Sequence, residues 1–152
     1  MSGTNNRKKI VRAIIKDNDN YLLFLRAPDP HNIHDELKNK YELVGGKLQP
    51  EEDVFAAMER EIMEEIGCKV DKISLFTHII FDDLNEYYFD VNLLDEIKPN
   101  PEDFVLDGKY WFSAKEIKGL YDYQFAFNGM LYVLKEHIRL DYKTRKNELV
   151  YD

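Results

Sequence analysis

Cysteine is nearly missing from this chain: Cys68 stands alone among 152 residues. One thiol cannot close an intramolecular disulfide or furnish a multi-cysteine zinc site, so a reducing cytoplasm is the expected setting. A surplus of positive charge is missing too. With 21 Lys and Arg against 29 Asp and Glu, the formal net charge is −8, and extended nucleic acid would find no basic face to bind. Small anions stay admissible where a metal bridges them to the protein. Long apolar runs are also lacking. No stretch approaches a membrane span, and MSGTNNRKKIVRAII has neither the apolar core nor the small-residue cleavage site of a secretory signal. The expectation is one soluble domain over 1–152, with a core over about 9–140, a flexible start at 1–7 and a polar tail at 141–152.

What the chain does contain is a series of extended segments set off by turn-forming residues. KIVRAIIK and YLLFLRA read as strands joined at Asp17, Asn18, Asp19 and Asn20, hence a hairpin. Those four residues do not open a calcium loop, because Leu22 occupies the sixth position, where an EF-hand needs glycine. Residues 27–40 form a polar loop with Pro28 and Pro30, after which YELVGG is extended again. A helix is predicted over 51–66, with Pro50 at its start, acids in its first turn and Gly67 at its stop. KISLFTHIIF and EYYFDVNLL make a second hairpin around DDLNE, KPNPEDFVLDG is a loop, and GKYWFS is a short strand. Ser113 caps a brief helix from Ala114 to about Leu120, and a last amphipathic helix runs from about Phe127 to Leu140. Strands around one central helix, with another helix at the end, indicate a mixed α/β (α+β) domain.

The helix predicted over 51–66 concentrates negative charge. At about 100° per residue, Val54, Phe55, Met58, Ile62 and Ile66 share one apolar arc. Glu65 projects inside that arc, between Val54 and Met58, while Glu61 and Glu64 border it beside Ala57. A buried, unpaired carboxylate is expensive and tends to neutralise by raising its pKa. The i,i+3 and i,i+4 spacing of Glu61 to Glu64 and Glu65 adds roughly 0.2–0.5 kcal/mol of repulsion per pair, near the negative end of the helix dipole. A bound cation relieves both costs, and carboxylate oxygens suit Mg²⁺ or Mn²⁺. Arg60, at i,i+4 from Glu64, can hold one carboxylate without competing for the metal. A solvated acidic face is the competing reading, and Glu65's place inside the apolar arc counts against it.

These residues resemble the Nudix hydrolase family. Its signature GX5EX7REUXEEXGU, with U a bulky apolar residue, is met from Gly46 through Glu52, Arg60, Glu61, Ile62, Glu64, Glu65 and Gly67 to Cys68, which is read as a core residue. LLFLRAPDPHNIHDELKNKYELVGGKLQP is similar in layout to the MutT branch, with Val44 replacing the usual proline and Glu51 the usual glycine. FAFNGMLY resembles the segment whose asparagine contacts a purine base. The resemblance implies the Nudix fold, an α/β/α sandwich with a mixed central sheet, and metal-dependent hydrolysis of a nucleoside diphosphate linked to a further group X. It implies Glu65 as principal Mg²⁺ ligand, Glu61 and Glu64 sharing metal binding and water activation, the main-chain carbonyl of Gly46 completing the inner shell, and Glu52 paired with Arg60. It implies Asn128 at the base, and one further acid among Glu102, Asp103 and Asp107.

Arg26 and Lys47 are the cations best placed to touch phosphate. His31 and His34 are read as ordinary loop residues, because Mg²⁺ prefers oxygen. Phe81, Tyr87, Tyr88 and Phe127 are core residues or base-stacking platforms, and Trp111 is core. The leading expectation is a MutT-like enzyme cleaving a nucleoside triphosphate, oxidised purines included, to the monophosphate and pyrophosphate. Other Nudix substrates, namely ADP-ribose, a dinucleoside polyphosphate, a nucleotide sugar or capped RNA, form the alternative, and a non-catalytic nucleotide sensor the third.

Overall fold

The structure is a computed structural model that describes residues 8–31, 36–81 and 83–151, with side chains through 146. The start at 1–7 and His34 lie outside the described residues. Strand β1 (Lys8–Asp17) carries the apolar run IVRAII, buried throughout, as a strand covered on both faces must be. Asn18 (φ 55°) and Asp19 (φ 89°) adopt the left-handed dihedrals that these short polar residues tolerate. They turn the chain into β2 (Asn20–Leu22), which pairs Lys16 with Tyr21 and Asp17 with Asn20. The expected hairpin forms, but YLLFLRA does not remain in one sheet. Beyond Leu23 it becomes β3 (Phe24–Arg26), which pairs with β4 (Tyr41–Glu42) and β8 (Phe104–Val105) in a small second sheet. β8 falls in the segment expected to be all loop; two residues are too short to display a period.

The large sheet is completed by β5 (Gly45–Lys47), β6 (Val70–Phe81), β7 (Leu84–Leu93) and β9 (Trp111–Ser113). Its order is β6-β7-β1-β2-β9, with β5 beside the first half of β1. β1 and β7 run parallel from Lys8↔Leu84 to Ile15↔Val91, whereas β6 and β7 form the expected antiparallel hairpin. Side-chain parity along β1 then divides the core. Val11, Ala13 and Ile15 pack with Ala57, Met58, Ile62 and Ile66 of helix α1 (Val54–Ile66). Ile14 packs with Tyr88, with Ile117 of α2 (Ala114–Lys118) and with Leu131, Leu134 and Ile138 of α3 (Met130–Tyr151). Helices on both faces of a mixed sheet are the layering expected. Trp111, expected in the core, is half-buried at the margin of the α1-side cluster.

Helix α1 begins at Val54 and not at residue 51. Glu51 turns into the left-handed region (φ 64°), and Asp53 is the N-cap, its side chain accepting the Ala56 N–H at 2.8 Å. Pro50, Glu51 and Glu52 therefore belong to the loop before the helix. Gly67 stops it as expected, at φ 62° with its N–H donated to Met63 O at 3.1 Å. Phe55, placed in the apolar arc by periodicity, is 45% exposed and meets Phe89 edge-on. Ser113 caps α2 through a reciprocal box with Glu116, as expected. Helix α3 starts at Met130 instead of Phe127 and continues past Leu140 to Tyr151, so the polar tail is helical. Ion pairs anchor it: Lys16 Nζ lies 2.6 Å from Asp141, and Arg145 pairs with Asp141 at 3.3 Å and with Asp19 in the β1–β2 turn. No helix among the described residues is long and apolar enough to cross a membrane.

Candidate active site

The site is built where β5 crosses β1 beneath α1. Register pairs Ile10 with Lys47, Val11 with Gly46 and Arg12 with Gly45. A Cβ on Gly45 would lie 1.9 Å from Val11 O, and one on Gly46 only 2.6 Å from Glu61 Oε1. Gly45 thus lets β5 lie close on the backbone of β1, and Gly46 lets it come directly against the Glu61 carboxylate of α1. The Gly45 N–H donates to Glu65 Oε1 at 2.8 Å, so Glu65 turns toward β5 from within the apolar arc.

That position perturbs Glu65 strongly. Burial, reinforced by the negative charge of Glu61, Glu42 and Asp103, pushes its carboxyl up to about 9 despite the Gly45 hydrogen bond. Burial also raises Glu61 and Asp103, and Glu64 adds repulsion to both. Arg60 offsets part of this. Its Nε donates to Glu52 Oε2 at 2.7 Å and its Nη2 to Glu52 Oε1 at 2.9 Å and to Lys47 O at 3.1 Å. Nη1 donates to Glu61 Oε1 at 3.0 Å and to Glu64 Oε2 at 3.2 Å. The two-pronged contact holds Glu52 down at about 2 and ties the loop before α1 to the acidic face of the helix.

Beside these groups lies a pocket of about 940 Å³, a size suited to a nucleotide. Gly46, Lys47, Glu65, Arg26, Glu102 and Asp103 line it, whereas Glu61, Arg60 and Glu52, joined to one another by hydrogen bonds, are not part of the lining. Asp107 is not among them: it is exposed in the bend before Gly108, away from the pocket lining. Glu64 is exposed on the helix surface beside Arg60. His31, read as an ordinary loop residue, does line the pocket. Of the four aromatics considered for stacking, Phe127 lines it, whereas Tyr88 is buried in the α3-side core, Tyr87 is partly buried against the α1-side core and stacked on His78, and Phe81 is exposed. Asn128 is exposed next to Phe127 and is not part of the lining.

The donor chemistry fits a divalent cation. A half-buried carboxylate that desolvation, and then neighbouring carboxylates, hold above its ordinary range, next to a glycine whose missing Cβ leaves room for Glu61, is an oxygen-rich cradle for a hard ion. Among the described residues, no three His, Cys, Asp or Glu side chains converge into a ready-made ligand set. Arg60 draws Glu61 and Glu64 toward one side and Gly45 fixes Glu65 on the other.

Three buried charges escaped the sequence reading as site residues: Arg12, Glu42 and Glu86. Arg12 and Glu42 line the pocket, and Glu42 pairs with Arg26 at 3.3 Å, with burial raising its carboxyl. For Arg12 the signal is a lone charge inside an apolar strand, visible in KIVRAIIK.

Residues 6–130 match the family model described as NUDIX domain. An 8-oxo-dGTP diphosphatase of Buchnera aphidicola subsp. Acyrthosiphon pisum is 29% identical over 116 residues, covering 74% of this chain and 76% of that protein. A NUDIX hydrolase from Nitrosomonas europaea superposes with a TM-score of 0.67 at 24% identity, over 88% of this chain and 71% of that one. A MutT NUDIX hydrolase from Burkholderia pseudomallei gives 0.66 at 21% identity, over 84% and 95% respectively. With Gly46 and Glu65 of its signature lining the pocket and the family match spanning most of its length, the chain belongs to the Nudix family and shares the fold of its MutT branch.

Proposed function

We propose that this Nudix pyrophosphohydrolase is a MutT-like, Mg²⁺-dependent enzyme that cleaves a purine nucleoside triphosphate to the monophosphate and pyrophosphate. The observation that carries this reading is Glu65, a carboxylate pushed up to about 9 within a nucleotide-sized pocket. Such a group calls for positive charge, and no cation figures among the groups of the described residues that act on it. Glu65, Glu61 and the Gly46 carbonyl would hold the cation, with Glu64 and Asp103 or Glu102 close enough in sequence and site to assist. When bound, a divalent cation screens phosphate charge and lowers the pKa of water.

The chain's own residues supply the remainder. Arg60 orients Glu61 through Oε1, which leaves Oε2 to accept the proton of the attacking water. Glu52 locks Arg60 in place and so acts as a positioning residue. Arg26 and Lys47 offer phosphate contacts from the pocket wall, and Asn128 stands beside Phe127 as the base contact that the resemblance assigns. The name of the Buchnera relative supports a guanine nucleotide, oxidised forms included, as the substrate class. The single, buried thiol and the absence of a basic surplus suit work on small nucleotides in the cytoplasm.

Product analysis with Mg²⁺ across nucleoside triphosphates, ADP-ribose, dinucleoside polyphosphates and nucleotide sugars, following nucleoside monophosphate and pyrophosphate separately, tests the proposal. Expected is one pyrophosphate per monophosphate from triphosphates, reduced at least about 100-fold in Glu65→Gln. Undiminished activity in that variant would overturn the site assignment. Turnover confined to the other diphosphates would overturn the substrate.

A further inference from the structure

Arg12 is 3% exposed at the middle of β1, and its guanidinium makes no hydrogen bond and no ion pair among the described residues; Nε is buried without a partner. A permanently charged group with five donors is costly to leave in that state. Glu42 and Glu61 feel its charge, Arg12 being the strongest cation acting on Glu42, yet their hydrogen bonds go elsewhere. Glu42 pairs with Arg26 at 3.3 Å, Glu61 with Arg60 at 3.0 Å, and Glu86 accepts the Tyr88 hydroxyl at 2.9 Å. What does hold the guanidinium is Phe127, whose ring centroid lies 4.3 Å from the Arg12 Cζ. Arg12, Phe127 and Ile10 all line the pocket that Glu65 lines. The pocket therefore joins carboxylates on the α1 side to a dry, ring-backed cation that shares the β1 parity of Ile14, on the α3 side.

A phosphate contact does not account for this cation. Arg26 and Lys47, both more open to water, are the cations proposed above for that purpose. A desolvated guanidinium backed by a ring and flanked by Ile10 matches a flat, uncharged partner that presents acceptors along one edge. Resting on the nucleotide reading above, we propose that Arg12 is a specificity-determining residue that reads the base, donating to O6 of a 6-oxopurine and to N7 wherever that nitrogen carries no proton. Adenine places an amino donor where O6 would be, and two donors then face each other without an acceptor. The site is thereby selective for guanine and hypoxanthine nucleotides over adenine nucleotides.

The test is calorimetric binding of dGMP, dIMP, 7-deaza-dGMP and dAMP to the full chain with Mg²⁺, for wild type, Arg12→Lys and Arg12→Leu. Wild type is expected to bind dGMP and dIMP at least about tenfold more tightly than dAMP, and 7-deaza-dGMP more weakly than dGMP. Both variants should lose most of the preference, Lys included, because it keeps the charge but not the planar fork. The proposal is overturned if wild type shows no preference, if dIMP binds like dAMP, or if Arg12→Lys keeps the ratio. It is equally overturned if Arg12→Leu weakens every nucleotide alike with the ratio intact. Circular dichroism checks the fold, and should neither variant fold, the wild-type ratios decide alone. Monophosphates carry no anhydride, so base preference is read independently of turnover: inert triphosphates with the preference intact would sink the hydrolase assignment and leave Arg12's role standing.

Discussion

Glu65 and Glu52 are perturbed in opposite senses: one is held high, the other low, and their pH signatures run in opposite directions. For Glu65, pushed to about 9 from 4.5, the folded state keeps a proton that the unfolded state loses. Without divalent cation, stability therefore falls as pH rises from about 4.5 to about 9. Glu65→Gln is expected to be more stable than wild type at pH 8 in EDTA, by about 1–3 kcal/mol, with the difference vanishing near pH 4. Thermal unfolding across that range checks it, and added Mg²⁺ should raise Tm in wild type more than in the variant. For Glu52, held at about 2, stabilisation is present above about pH 4.5 and is lost as pH falls toward 2. Glu52→Gln should then unfold more easily than wild type at pH 7, with the difference disappearing only below about pH 2. Periodicity made Glu65 legible, because a carboxylate inside an apolar arc stands out in a helix. It missed Arg12, since an isolated charge in a doubly covered strand leaves no such repeating pattern.

At the scale of elements, the loop before α1 holds a local conflict. Glu51 adopts φ 64° without being glycine, at the position where the MutT-like layout has one. Glu51→Gly is expected to stabilise the fold by about 0.5–1 kcal/mol, measured by urea unfolding, while Asp53→Ala should cost about 1 kcal/mol through the lost cap. The same strain explains why the helix start was misplaced: acids after a proline look like a first turn, and the left-handed dihedral that excludes them is set by tertiary context. Hairpins and the Gly67 stop were legible because their turn residues carry their own mechanism. The far end of α3 was not, because DYKTRKNELVYD lacks an apolar face and its helix rests on ion pairs to the β1–β2 turn. Two-residue β8 joins a sheet only through β3, a contact no local pattern encodes.

For the whole molecule, both apolar clusters hang on the same central strand, so neither can melt without exposing the other. Ile62→Ala on the α1 side and Leu134→Ala on the α3 side are each expected to lose about 2–5 kcal/mol in a single shared urea transition. Two separable transitions would contradict one cooperative domain. Cys68 gives that experiment its own reporter. Its Sγ is 1% exposed, donates toward Glu96 O at 3.1 Å, and burial pushes its thiol pKa up. A disulfide reagent in solution therefore finds nothing to react with until the segment around residue 68 opens. Labelling rate becomes a clock for that opening, read in the unmodified chain without any introduced probe, and it should slow when a bound nucleotide closes the pocket on β5 and α1.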